Sequence, residues 1–263
     1  MPYSLRASIY ELEYTETRDM VFIRSLIGTS RPRVLEIPCG AGRLSRGIVD
    51  LAGCLTVVDL EPAMAKKAAA AAVSIPGAGE VTAIAGDMRT LSLPARFEFA
   101  IIPREALQLL PPPEGALALA AVARHVAPGG TMLVDLSCFP RIHQEPPEPD
   151  YYDPSREDGT WRLDWTRAAG DSARLHRWSA QMHEPDGSAI SFEFRYELDT
   201  PSLKKERWLS GMTLHRYSRR WIDEHVPPGW RLETVFGDYL GAPWSPASSR
   251  MVAVFRRTDV GFH

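Results

Sequence analysis

Arg33-Val-Leu-Glu-Ile-Pro-Cys-Gly-Ala-Gly-Arg43 is the stretch on which the fold turns. Arg33–Ile37 is a short apolar run suited to a buried strand, Pro38–Gly42 is a turn of small residues, and a helix follows through Leu51. Small residues at a strand-to-helix turn let the backbone approach a ligand closely, with the helix N-terminus facing it. That geometry suits a nucleotide-like or carboxylate-bearing cofactor. Glycine turns also serve tight packing, so the neighbouring strand ends have to decide between the two readings.

Working outward, the pattern repeats. Leu55–Asp59 reads as a second strand and the alanine-dominated Pro62–Ala72 as a helix. Val81–Ala85, Phe97–Ile102, a helix from Gly115 to His125, and Thr131–Leu136 continue the alternation. Upstream, Tyr10–Ile27 reads as a helical cap. Serial βα units specify a mostly parallel sheet with helices on both faces, and ligands bind at the carboxyl ends of its strands. Those ends carry Glu36, Asp59, Asp87 and Arg104. Asp59, 19 positions after Gly40, can accept hydrogen bonds from two ribose hydroxyls, or can simply cap the helix that starts near Pro62. In Gly86-Asp87-Met88 the carboxylate can accept from an adenine amino group, or form an Asx turn.

Between Phe139 and Pro154 five prolines break regular structure. The period then changes to two: Trp161, Leu163 and Trp165 alternate with polar neighbours, Arg174–Met182 and Ala189–Leu198 form a hairpin about Pro185-Asp-Gly-Ser, and Glu206–Tyr217 supplies another strand. A short helix over Ser218–His225 precedes strands at Trp230–Val235 and Met251–Arg256. The expected division is an N-terminal helical cap (1–33), an α/β cofactor core (34–140), an inserted antiparallel β lid (141–218) and the final strands of the core (219–263). Trp161, Trp165, Trp178 and Trp208 either line a pocket or form the core of that small sheet.

Composition narrows the function. The 263 residues carry 30 basic and 33 acidic side chains, a net charge of −3, without the basic excess that gathers nucleic acid or anionic lipid. Cys39, Cys54 and Cys138 are an odd count without paired spacing, which fits reduced thiols in the cytoplasm. Neither a signal peptide nor a membrane-spanning apolar run is expected. The 7 histidines lack metal-ligand spacing and no Gly-x-Ser-x-Gly elbow occurs, so no metal is expected.

Four features at successive strand ends resemble a class I S-adenosylmethionine-dependent methyltransferase: Val34–Leu44, Val57–Met64, Gly86–Met88, and Val126-Ala-Pro-Gly-Gly-Thr-Met-Leu-Val134. The final two strands fit that family's Rossmann-like seven-stranded sheet with its reversed last hairpin. The resemblance implies S-adenosylmethionine as cofactor and S-adenosylhomocysteine as product. The implied contacts are Tyr14, Glu36, Gly40, Gly42, Arg43, Asp59, Leu60, Met64, Gly86, Asp87, Met88 and Pro103. Pro38 stands where the family usually has its first glycine; proline fixes φ and removes a donor.

A looser resemblance, carried by Tyr10-Glu-Leu-Glu-Tyr14, Ser137-Cys-Phe-Pro140 and the inserted sheet, is to small-molecule N-methyltransferases of the glycine and amino-sugar type. It implies an amine acceptor, as in a bacterial specialised metabolite, with Tyr10, Arg104, Gln108, Trp161, Trp165 and Tyr217 as acceptor contacts. Methyl transfer from a sulfonium is an in-line displacement whose main demands are placement and exclusion of water. An amine needs only to arrive deprotonated. A hydroxyl acceptor would want a base, for which Tyr14, Glu105 and His215 are the candidates, with Gln108 as a polar group presented to the acceptor. O-methylation, a catalytically silent cofactor-binding partner and an NAD-dependent dehydrogenase are the competing readings. The last would want a third glycine where Ser45 stands. Neither a nucleic acid nor a membrane is expected as partner, and homo-oligomerisation stays open.

Overall fold

The computed structural model describes residues 12–13, 17–142, 148–170, 172–200 and 206–258. In chain order its strands are β1 (Arg33–Glu36), β2 (Cys54–Asp59), β3 (Glu80–Ala85), β4 (Phe97–Ile102), β5 (Val126–Ser137), β6 (Arg162–Ala168), β7 (Arg174–His183), β8 (Ala189–Asp199), β9 (Glu206–His215), β10 (Trp230–Phe236) and β11 (Arg250–Arg257). Its helices include α1 (Arg18–Ile27), α2 (Arg43–Ile48), α3 (Pro62–Val73), α4 (Pro112–Ala123) and α5 (Arg219–Glu224), and Ala106–Leu109 is a 3₁₀ turn.

Seven strands form one sheet in the order β10-β11-β5-β4-β1-β2-β3. The pairs β1–β2, β2–β3, β1–β4 and β4–β5 are parallel, and β11 runs antiparallel to both β5 and β10. The fold class read from the alternating pattern is therefore the one observed. Chain order reverses between β1 and β4, which opens a crevice at their carboxyl ends.

Each face of the sheet is covered because each carries its own apolar set. Phe22, Ile23 and Ile27 of α1 pack with Leu44 and Ile48 of α2 and the small Ala65, Ala68 and Ala72 of α3 on one side. Ala118, Leu119 and Val122 of α4 and Ile222 of α5 cover the other. Proline at the first helical position starts both α3 and α4, where its missing N–H costs nothing. The Ser218 hydroxyl caps α5 by accepting from the Trp221 N–H at 3.0 Å.

The remaining strands form a separate antiparallel sheet, β6-β7-β8-β9. Ile190, Phe192, Phe194 and Tyr196 alternate along β8 and bury one face against Phe139, Tyr151 and Tyr152. Trp165 and Trp208 pack at the margin of this cluster. β9 is an edge strand, and its far side faces the 3₁₀ turn and the crevice rather than another strand.

Candidate active site

A cavity of about 500 Å³ opens at the reversal between β1 and β4. Its floor is the row of strand ends: Glu36, Pro38, Cys39 and Gly40 after β1, Asp59 at the end of β2, Pro103–Ala106 after β4. Arg43 and Leu44 of α2 and Met64 of α3 close one side, while Tyr151 and residues 211–214 of β9 form the roof. The two sheets thus meet across one enclosure.

The glycine loop is held from beneath. The Cys39 N–H donates to the Val58 carbonyl at 2.8 Å, and the Gly40 N–H donates to Asp59 Oδ2 at 2.9 Å. Gly42 takes φ +89°, and a Cβ there would lie 2.5 Å from the Ala68 Cα, so the loop can pack on α3 only as glycine. Pro38 sits in the cavity wall behind a cis Ile37–Pro38 peptide.

Asp59 accepts one backbone N–H at each oxygen, from Gly40 and from Glu61 at 3.0 Å. Burial pushes its carboxyl above the usual aspartate range, partly offset by those two donors. Each oxygen keeps lone-pair capacity for a further donor. Glu36 lies deeper, 1% exposed, accepting from the Ser45 hydroxyl at 2.5 Å. Desolvation dominates there and raises its carboxyl from 4.5 to about 8, so it is mostly a neutral acid at pH 7.

Arg43 turns its guanidinium onto Asp19 of α1, with Nη1 3.0 Å from Oδ1 and a second bond to Oδ2. Asp19 is fully buried. Burial alone would raise its carboxyl, but the hydrogen bond and charge of Arg43, with Arg104 behind it, hold it below the ordinary value. Beyond β4, Arg104 takes φ +32°, an uncommon conformation for a non-glycine residue, at the bend that brings it and Glu105 to the cavity.

Glu105 belongs to a buried ion cluster. Arg250, 0% exposed, donates through Nη1 to Glu105 Oε1 at 2.8 Å, and through Nε and Nη2 to Asp135 Oδ1 at 2.9 and 2.7 Å. Asp135 also accepts from the Tyr239 hydroxyl at 2.7 Å and from the Arg104 N–H at 3.2 Å. Burial disfavours the Arg250 charge, yet the facing Asp135, Glu105 and Glu148 outweigh it and raise its pKa.

Several residues expected at the site stand elsewhere. Gln108 does not line the cavity: fully buried, its amide accepts the Ser137 N–H at 2.7 Å and donates to the carbonyls of Ser137 and His215, each at 3.1 Å. It pins β5 and β9 to the 3₁₀ turn, because those backbone groups have no strand partner there. His215 contributes that carbonyl, and its imidazole is not part of the cavity lining. Tyr217 packs in the core against Trp221 and donates to the Leu110 carbonyl at 2.9 Å. Trp161 stacks with the Arg195 guanidinium and Trp165 with those of Arg167 and Arg177, all outside the cavity.

Leu60 is exposed beyond the end of β2. Gly86, Asp87 and Met88 stand at the end of β3 outside the cavity lining, with the Asp87 carboxylate gripped by Arg89 through its backbone N–H at 2.9 Å and its guanidinium. Those bonds hold the Asp87 carboxyl below its usual range. Tyr10 and Tyr14 lie outside the described residues. Conversely, Asp19, Tyr151 and the edge of β9 join the site without having been expected. Asp19 meets Arg43 only through the packing of α1 on α2, Tyr151 lies in the proline-broken connector, and period two marks β9 as a strand without giving its place in the sheet.

Residues 34–130 match the family model described as a methyltransferase domain. No curated protein sequence matches the chain. Among solved structures, an S-adenosylmethionine-dependent methyltransferase from Clostridium acetobutylicum superposes with TM-score 0.71 at 11% identity, covering 97% of both chains. The S-adenosylmethionine-bound amino pentose methyltransferase CalS10 of Micromonospora echinaspora, involved in calicheamicin biosynthesis, gives 0.68 at 20% identity over 95% of this chain and 97% of that one. The sugar N-methyltransferase KedS8 from a Streptoalloteichus species gives 0.67 at 19% identity over 92% and 87%. Residues 34–130 are a methyltransferase domain, and the chain has the fold of these S-adenosylmethionine-dependent methyltransferases. Among the described residues no helix is long and apolar enough to cross a membrane.

Proposed function

We propose that the protein transfers a methyl group to the nitrogen of a small-molecule amine of bacterial specialised metabolism, with residues 141–218 acting as the lid over the acceptor. The observation that carries this reading is the single enclosure shared by the strand ends bearing Glu36 and Asp59 and by the edge of the second sheet. Cofactor and acceptor can meet there away from bulk water. The sugar N-methyltransferase, which has the same fold, supports nitrogen as the acceptor atom, and the amino pentose methyltransferase supports an acceptor that carries an amine.

The residues present fit the cofactor. When bound, S-adenosylmethionine supplies a sulfonium-borne methyl that leaves by in-line displacement. In this proposal Asp59 accepts from the ribose hydroxyls with its remaining lone pairs, Gly40 and Gly42 let the backbone approach, Met64 and Pro103 pack against the ligand, and Asp87, oriented by Arg89, accepts from the adenine amino group. Tyr14 and Tyr10 are assigned to the cofactor and acceptor sides.

The acid–base character of the cavity favours an amine over a hydroxyl. Glu105 is committed to Arg250, and Glu36 is mostly protonated at pH 7, so neither is a free base. An amine arriving neutral already offers its lone pair and needs only placement. Arg104 and Glu105 stand at the cavity wall where an acceptor's polar groups would lie. The test is release of S-adenosylhomocysteine across a panel of amines and their matched alcohols. Turnover restricted to amines supports the proposal; turnover restricted to alcohols, or binding of the cofactor without turnover on any acceptor, overturns it.

A further inference from the structure

The roof of the cavity is the edge strand β9, whose residues 211–214 line it. In the β8–β9 pair, the Arg216 N–H donates to the Ser188 carbonyl at 2.8 Å just beyond the last strand residues. The register Ala189↔His215 through Leu198↔Glu206 then places even-numbered residues of β9 in the ladder. Odd-numbered residues turn their N–H and C=O away from β8. His215 shows this directly, since its carbonyl accepts from Gln108 on the outer side. Gly211 and Thr213 follow the same alternation, and both line the cavity. Gly211 and Thr213, spaced by the ~6.8 Å of two strand residues, thus each offer an N–H donor and a C=O acceptor on that side of the strand.

We propose that the acceptor is an amine that also carries a secondary amide, and that it is read by pairing as a short added strand with the backbone of Gly211 and Thr213. This rests on the amine reading above. A strand edge is matched by another extended amide, whose own N–H and C=O share that spacing and direction. A plain alkyl amine would leave four backbone groups unmatched in the cavity, which costs affinity. Gly211 suits the role, because without a side chain its peptide is uncovered. A Cβ there would lie 3.1 Å from the Phe192 carbonyl oxygen.

The test uses the full chain with S-adenosylhomocysteine and three probes: glycylglycinamide, n-hexylamine and glucosamine. Amide hydrogen exchange at residues 211 and 213 is read by NMR, so no substitution is needed for the first result. Glycylglycinamide is expected to slow exchange at both positions about tenfold more than either other probe. In a second arm, Thr213→Pro removes an N–H that is not in the ladder, and Thr213→Val removes only the hydroxyl that meets Ser191. T213P should weaken glycylglycinamide about tenfold beyond whatever T213V loses, with no matching loss for hexylamine. Equal protection by hexylamine or glucosamine, no protection by glycylglycinamide, or equal effects of the two variants would overturn the proposal. Protection by glycylglycinamide, with no methyl transferred to any probe once S-adenosylmethionine replaces S-adenosylhomocysteine, would instead sink the amine reading and leave the strand-edge site standing.

Discussion

Glu36→Gln should remove a pH dependence of folding stability that this one buried carboxyl creates. Its folded-state pKa is raised from 4.5 to about 8, chiefly by burial. Between those two values the folded protein holds a proton that the unfolded chain has released. Stability therefore falls as pH rises through the window from about 4.5 to about 8, and levels off above it. At 1.36 kcal/mol per pKa unit the full loss is about 4–5 kcal/mol. Glutamine is neutral throughout and can still accept from Ser45, so the variant loses this slope. Urea denaturation of both proteins at pH 5, 6.5 and 8 reads it out: the variant ahead by about 1 kcal/mol or less at pH 5 and by about 4 kcal/mol at pH 8. Parallel stability curves across that range would instead mean that Glu36 is ionised in the folded protein.

Three further outcomes follow from named contacts. Asp59→Ala, by removing a charged acceptor, should weaken S-adenosylhomocysteine by about 1.5–3 kcal/mol in calorimetric titration, and an unchanged dissociation constant in folded protein would remove Asp59 from the ribose. S-Adenosylhomocysteine should bind about tenfold more tightly than its inosine analogue if Asp87 accepts from the adenine amino group, whereas equal affinities would leave Asp87 to Arg89 alone. Arg250→Met strands Asp135 and Glu105 as buried carboxylates and should cost about 3–5 kcal/mol by chemical denaturation, while a loss below about 1 kcal/mol would mean that the cluster is already relieved by protonation.

What local pattern controls, the sequence made legible. The apolar runs ending at Glu36 and Asp59 and the small-residue loop at Gly40–Gly42 identify the βα units, and the topology rule then brings their ends together; Glu36, Asp59, Met64, Pro103 and Arg104 accordingly line one cavity. Residues whose role depends on distant partners were not legible. Gln108 has the composition of an acceptor contact, but unpaired carbonyls and an N–H from β5 and β9 surround it and consume its amide. Asp135 reads as a polar interruption of a core strand until Arg250, 115 positions later, stands beside it. Tyr217 ends a period-two run, yet it follows the end of β9 and turns into the core against α4 and α5. The position of β9 at the end of its sheet is likewise a property of the sheet's order rather than of its residues.

The central claim, methyl transfer to an amine nitrogen in the enclosure between the two sheets, is met most directly by following the methyl group itself. Trideuteromethyl-labelled S-adenosylmethionine is incubated with the protein and an amine panel, and products are located by mass spectrometry and NMR. Label is expected on nitrogen, with one S-adenosylhomocysteine released for each methyl transferred. Label on oxygen or carbon, or no transfer from a cofactor that calorimetry shows to be bound, would contradict it.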